Sequence, residues 1–341
     1  MNGRWAIIGA ALAMALVLSG CSSSTPDPVK SPPTPKSTPA SADADTIRSL
    51  VESPAESPDV EIADPVRGFG GAPSFPATYT SGGLNVSGLI RYPDGDGPFP
   101  AVVVVHGGVD PDQYESGGDL VPLQRALVES GYAVFAVDLR GYGDSDASKN
   151  HDAWTIDPGF GWSVTLDWGM ALDVVNALRI LRSGDIESVD PDRVGLVGHS
   201  MGGLLALDAA VIAPEATDVV VTLSAVSSQI WDAIEHGLDP DSSEFAAIVE
   251  QHGTPDDNAT YWDDISPRTF ADRMTAPLLL VHGGADKAAL PRWSEDTARA
   301  WKDAGATARA VIVPGANHAL QPHQDVAFGY VLEALDAQLK D

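Results

Sequence analysis

The sequence runs to 341 residues, room for one large α/β domain or two small ones, and 44% of it is apolar, enough for a sizeable core. With 48 acidic against 20 basic residues the net charge is −28, which excludes a nucleic-acid partner, because phosphates require a basic surface. The single cysteine, Cys21, can form neither an internal disulfide nor a zinc cluster.

Residues 1–20 read as a signal peptide. Arg4 supplies the positive n-region, residues 5–18 the apolar h-region, and Ser19 and Gly20 close it with small side chains. The apolar stretch is too short for a membrane-spanning helix. Leu18-Ser19-Gly20-Cys21 resembles the lipobox of bacterial lipoproteins. The resemblance implies cleavage before Cys21, lipid on Cys21, and a location on the extracytoplasmic face of the cell membrane. Each buried CH₂ of an acyl chain contributes about 0.8 kcal/mol, so two or three chains anchor stably. Residues 21–66 are rich in Ser, Pro, Thr and Asp and lack apolar periodicity, so they are expected to form a disordered tether. A flexible chain of that length spans roughly 35–40 Å.

The folded domain is expected over residues 67–341. Residues 75–80 and 84–92 read as two edge strands joined by Ser81-Gly82-Gly83, and 93–98 as a turn cluster. The β-branched run 100–105 has no polar face, which suits a strand inside a parallel sheet. A helix is expected over 120–130, a strand over 132–137 and a long helix over 164–181. Further strands follow at 194–197, 218–223, 277–281 and 308–313, with helices at 204–212, 293–303 and 326–339. Strands alternating with helices predict an α/β fold, a mostly parallel twisted sheet with helices on both faces. Residues 225–273 interrupt the alternation and read as a small helical cap carrying Trp231, Phe245, Tyr261 and Trp262.

Between the strand at 194–197 and the helix at 204–212 stands Gly198-His199-Ser200-Met201-Gly202, which fits the G-x-S-x-G nucleophile elbow. The turn is so tight that positions two before and two after the serine have no room for side chains, hence glycine at both. A serine hydroxyl needs a base within hydrogen-bond reach and the base needs an orienting acid. In open parallel sheets such groups lie just past the carboxyl ends of strands. His318 follows the strand at 308–313 and Asp286 follows the strand at 277–281, which makes them the candidate base and acid. Asp232 is an alternative acid. His282, His106 and His323 are competing histidines, of which His282 and His106 read as loop ties. None of the histidines falls at metal-ligand spacing, so neither a metal nor another cofactor is implied. The backbone N–H of Met201 is one expected oxyanion donor. The second is expected from His106-Gly107-Gly108-Val109, with Gly108 chosen and Val109 the alternative. His199, beside the nucleophile, and Trp231, Tyr261 and Trp262 of the cap are candidate walls of a substrate pocket.

From about residue 75 onward the chain resembles the α/β-hydrolases. The resemblance rests on His106-Gly107-Gly108, Asp138-Leu139-Arg140-Gly141-Tyr142-Gly143-Asp144-Ser145, the elbow, and the loops bearing Asp286 and His318. The order Ser200, Asp286, His318 is the nucleophile–acid–base order of that superfamily. Ile265-Ser266-Pro267 followed by 276–283 is similar to the prolyl-oligopeptidase and dienelactone-hydrolase branches. Oligopeptidases of that kind usually carry a β-propeller ahead of the hydrolase domain, whereas a tether stands there in this sequence. The dienelactone branch uses a cysteine nucleophile, whereas this chain has serine. The expectation is therefore a serine hydrolase of small carboxylic esters, with a peptidase acting on short peptides as the alternative and a catalytically silent, lipid-anchored binding module as a third reading.

Overall fold

The computed structural model describes residues 46–68, 73–147, 155–156, 164–165 and 169–340. The expected signal peptide, Cys21 and the first part of the tether lie outside the described residues. In chain order the elements are α1 (Ile47–Glu52), β1 (Val60–Ile62), β2 (Val66–Arg67), β3 (Pro73–Ser81), β4 (Leu84–Arg91), β5 (Phe99–Val105), α2 (Val121–Glu129) and β6 (Ala133–Val137). Then come β7 (Thr155–Ile156), β8 (Val164–Thr165), α3 (Gly169–Ser183), β9 (Val189–His199), α4 (Met201–Ile212) and β10 (Val219–Leu223). The cap helices α5 (Ile230–Gly237), α6 (Ser243–His252) and α7 (Ala259–Asp264) precede β11 (Leu278–Gly283), α8 (Pro291–Asp303), β12 (Ala308–Val313) and α9 (Gln324–Leu339).

The main sheet runs β1-β3-β4-β6-β5-β9-β10-β11-β12. From β6 to β12 neighbouring strands are parallel, while β1, β3 and β4 join antiparallel. Helices cover both faces, and each central strand divides its side chains between two cores. Ala101, Val103 and Val105 of β5 enter one with α3, α4, α8 and the cap. Val102 and Val104 enter the other with α2 and α9. An unbroken β-branched run makes sense only under that two-sided burial. Helix α4 is buried on every side, as its apolar sequence requires.

Four expectations need correction. The tether ends earlier than residue 66, because α1 and β1 belong to the folded body. Ile47 is fully buried in the first core, β1 pairs with β3 at Val60↔Tyr79, and Arg48 pairs with Asp264 of α7 at 2.5 Å. β1 covers β3 on one side and β6 covers β4 on the other, so β3 and β4 are not the edge strands. The helix expected from 164 starts at Gly169, with Val164–Thr165 instead pairing with Thr155–Ile156. Residues 225–273 do form helices, but their aromatics pack on one another and on the first core, as the site description details.

Helix α4 also buries a carboxyl group, Asp208, which is 1% exposed and whose Oδ1 has no hydrogen-bond partner. Burial pushes this carboxyl well above the usual range. The folded state therefore holds a proton that the unfolded chain releases above about pH 3.9, so this group subtracts stability as pH rises past that value. Asp208→Asn is expected to stabilise the protein at pH 7 and to change little near pH 3, read by urea unfolding at both. Ile47→Ala is expected to cost about 2–4 kcal/mol in the same assay. A loss under 0.5 kcal/mol would return α1 to the tether.

Candidate active site

Ser200 sits between β9, which is central in the sheet, and α4. Its backbone is at φ 56°, ψ −117°, a left-handed conformation that a non-glycine residue reaches only when its surroundings impose it. Here they do. The Ser200 N–H donates to Leu223 O of β10 at 2.9 Å, and its carbonyl accepts from Gly203, Leu204 and Val226. A Cβ on Gly198 would lie 2.0 Å from Gly202 O, and one on Gly202 would lie 2.4 Å from both Val105 O and His106 O. Both glycines are therefore demanded by backbone passing backbone.

The loops after β11 and β12 are stitched together by Gly284 N–H to Val313 O and Ala285 N–H to Ala316 O, each 2.8 Å. A Cβ on Gly283 would lie 2.2 Å from Asn317 O, so this approach too requires glycine. The result is a continuous line of contacts. Ser200 Oγ is 2.9 Å from His318 Nε2, and His318 Nδ1 is 2.8 Å from Asp286 Oδ2. The carboxylate accepts at Oδ2, which gives Nδ1 the proton of the neutral ring and leaves Nε2 to accept from the serine hydroxyl. Ser200 is 2% exposed, whereas the His318 side chain is 23% exposed, so the base meets solvent beside a shielded nucleophile.

Burial opposes ionisation of Asp286, but hydrogen bonds from His282 and His318, and their charges, outweigh it and hold its carboxyl well below the usual range. Its Oδ1 accepts from the N–H groups of Ala288 and Ala289 at 2.9 and 3.1 Å. His282 is more than a loop tie: its Nε2 lies 3.2 Å from Asp286 Oδ2 and 3.1 Å from Ala289 O, while Ser294 Oγ holds Nδ1 at 2.7 Å. His106 binds Gly107 O and Asp138 O, which fixes the loop after β5.

The N–H of Met201, first residue of α4, has no acceptor within its own helix. Gly107 N–H is directed to Asp119 Oδ2 at 2.8 Å, which leaves Gly108 and Val109, both half-buried, as the next N–H groups of that loop. Asp119 was not anticipated from the sequence. The only signal was its place just ahead of a helix in the loop after β5, and its partners His199 and Gly107 are joined by tertiary structure alone.

Of the remaining expected site residues, His199 lies beside the line, its ring centroid 5.1 Å from that of His318, while the others lie in the cap. Asp232 accepts from Ser227 Oγ at 2.7 Å and pairs with Arg268 at 3.8 Å, so it is engaged within the cap. Trp262 is 1% exposed and donates its indole N–H to Gly253 O. Its ring meets Trp231 at 4.7 Å and Tyr261 at 5.1 Å, while Tyr261 stacks on His252. Trp262 is thus cap core rather than pocket wall, and Trp231 and Tyr261 are half-buried parts of the same cluster. His199 has both ring nitrogens in hydrogen bonds, to Asp119 and to the His318 carbonyl. Among the described residues no three His, Cys, Asp or Glu side chains converge as metal ligands.

Known proteins resemble the chain in sequence and in fold. The prolyl oligopeptidase family model matches residues 122–334, a span that includes Ser200, Asp286 and His318, and the chain belongs to that family. It is similar to esterase EstD of Thermotoga maritima, 27% identical over 237 residues, covering 62% of this chain and 53% of EstD. The chain thus spans about half the length of that relative. Acetyl xylan esterase 1 from Thermoanaerobacterium shares the fold at TM-score 0.63 and 22% identity, over 84% of this chain and 91% of that one. The acylaminoacyl peptidase of Pyrococcus horikoshii does so at TM-score 0.62 and 19% identity, over 82% and 42%.

Gly198→Ala tests the elbow geometry. The added methyl has no room, so the variant is expected to lose about 1–3 kcal/mol or more in thermal unfolding. A substitution at Gly329, where a Cβ meets nothing within 4 Å, is the control and should be near neutral or slightly stabilising.

Proposed function

We propose that this member of the prolyl oligopeptidase family is a serine hydrolase of carboxylic esters that works through an acyl-enzyme. The observation that carries the reading is the line from Ser200 Oγ through His318 to Asp286, at 2.9 and 2.8 Å, anchored on a strained elbow. Ser200 Oγ attacks the ester carbonyl carbon while His318 Nε2 takes the hydroxyl proton. The negative charge on the former carbonyl oxygen falls to the N–H groups of Met201 and Gly108, with Val109 the alternative second donor. Collapse expels the alcohol, which receives its proton from His318. Water then attacks the acyl-serine with His318 again as base, and the acid leaves as Ser200 recovers its proton. Asp286 keeps the His318 ring in its working tautomer and stabilises the imidazolium.

The sequence likeness to an esterase supports an ester substrate over a peptide. The family match supports a short peptide or aminoacyl substrate as the second reading. Leu18-Ser19-Gly20-Cys21 supports export, with the enzyme held on the extracytoplasmic face of the membrane through lipid on Cys21.

The full chain assayed on p-nitrophenyl esters of two to sixteen carbons, beside aminoacyl p-nitroanilides, tests both. Ester cleavage is expected, and Ser200→Ala is expected to lower kcat by about 10³- to 10⁶-fold. A clear preference for the anilides overturns the ester reading, and undiminished activity in Ser200→Ala overturns the assignment of the nucleophile.

A further inference from the structure

One half-buried histidine–carboxylate pair beside the site takes no part in the reaction just described. His199, the last residue of β9, has its Nδ1 3.2 Å from Asp119 Oδ2 and its Nε2 3.2 Å from the carbonyl oxygen of His318. Its ring centroid lies 5.1 Å from that of His318. Asp119 in turn accepts from Gly107 N–H at 2.8 Å through the same Oδ2, and from Leu120 N–H at 2.7 Å through Oδ1. A Cβ on Gly107 would come within 3.0 Å of His199 Nδ1 and 3.2 Å of Ser200 Cβ, so the loop is wedged between the pair and the nucleophile. Leu120 and Leu320, on the two loops that the pair joins, both hold positive φ, 54° and 62°. Backbone of that kind persists only where its surroundings fix it.

We propose that the Asp119–His199 pair is a positioning device that clamps the loop supplying the second oxyanion donor to the loop carrying His318, and that it holds only while His199 is protonated. The inference rests on the reading of Ser200 as the nucleophile of ester hydrolysis. Its second half follows from hydrogen-bond counting. Both ring nitrogens of His199 face acceptor oxygens, and a neutral imidazole has only one N–H to give. Losing the second proton therefore leaves either the His318 carbonyl or the Asp119 carboxylate without its donor.

The groups that face His199 agree in sign. Burial disfavours its charge, but the hydrogen bond and charge of Asp119, the His318 carbonyl and the charge of Asp286 raise its pKa above the ordinary value. Burial of Asp119 is likewise outweighed, by His199, Gly107 N–H and His106, which hold its carboxyl well below the usual range. The neighbouring His318 ring, its centroid 5.1 Å away, would oppose a charge on His199 if it carried one itself. A cavity of about 250 Å³ lined in part by Asp119, Leu120, His199 and Leu320 adjoins the pair. Because the pKa of His199 is raised, the clamp is present below that pKa and is lost as pH rises through it, above about 6.5.

The test uses the full chain, with p-nitrophenyl acetate turnover across pH 5–10, inactivation by phenylmethylsulfonyl fluoride, and Tm for wild type, His199→Gln, Asp119→Asn and Ser200→Ala. Both clamp variants are expected to lose about 10- to 100-fold in kcat, the cost of a misplacement near 1 Å, with KM within about threefold. The rate of inactivation should fall in parallel. Wild-type kcat is expected to decline on the alkaline side, and that decline should vanish in His199→Gln. Wild-type kcat and an unaltered alkaline limb in both variants, with or without a lower Tm, overturn the clamp while a silent Ser200→Ala leaves the nucleophile standing. Equal activity in wild type and Ser200→Ala overturns the nucleophile reading instead. Should neither clamp variant fold, nitrogen-15 spectra of the histidine rings of the wild-type protein decide: His199 titrating above about 6.5 upholds the proposal, and at or below it overturns it.

Discussion

Everything at the site depends on how closely backbone approaches backbone where β9 turns into α4. The gap of 2.0 Å between a Cβ on Gly198 and the carbonyl of Gly202 leaves no alternative residue at that turn. The 2.4 Å gaps from Gly202 to Val105 O and His106 O tie the turn to the neighbouring strand. β5 lies on one side of β9 and β10 on the other. The elbow is therefore assembled from three strand ends at once: β5 crowds Gly202, β10 receives the Ser200 N–H, and α4 leaves the serine with its first N–H groups unspent. Ser200 can hold φ 56° because each of these contacts would break if it relaxed.

The same logic extends along the sheet. β11 and β12 pair in register up to Gly283↔Val313, so the loops that follow start side by side. Glycine at 283 lets them touch, and the hydrogen bonds from Gly284 and Ala285 lock them. Asp286 and His318 are thus positioned relative to each other by strand pairing, before any side-chain interaction is made. The charge on Asp286 is then stabilised by His282, His318 and two backbone N–H groups, which together outweigh its burial. A carboxylate so fully engaged is well suited to orient a histidine and poorly suited to take its proton.

What could be read in the sequence follows the range of the interactions that create it. The runs 100–105, 194–197 and 219–221 are apolar on both faces, and such runs suit buried strands, so the sheet and the placement of Ser200, Asp286 and His318 just past strand ends were legible. The ordered stretch from Ile47 was not. Its helix has six residues and its strand three, too short for local preference to stand out against the Ser- and Pro-rich segment before them. They fold because Ile47 finds the core and Arg48 finds Asp264, which stands 216 positions away. The cap aromatics are legible only in part for a related reason: Trp231, Tyr261 and Trp262 have the composition of a binding pocket, but Trp262 is spent as cap core, packed against Trp231 at 4.7 Å and Tyr261 at 5.1 Å. Asp119 lies 80 positions from His199, and no spacing rule links them.

The division of labour between the sheet's faces and its ends explains how costly groups are tolerated. Central strands give side chains to two cores, so the apolar burial that stabilises the domain is concentrated between the sheet and its helices. A strained non-glycine residue costs about 1–3 kcal/mol, and a buried polar group must be matched by partners or lose comparable free energy. Ser200, the Asp286–His282–His318 cluster and the Asp119–His199 pair all incur such costs, and all lie at the carboxyl ends of the parallel strands. There the backbone already leaves the sheet, its N–H groups are free to donate to side chains on loops, and displacement of a loop does not reopen the core. Asp208 departs from this arrangement: it lies within α4, away from those ends, and with no partner for its Oδ1 it is driven towards its neutral form.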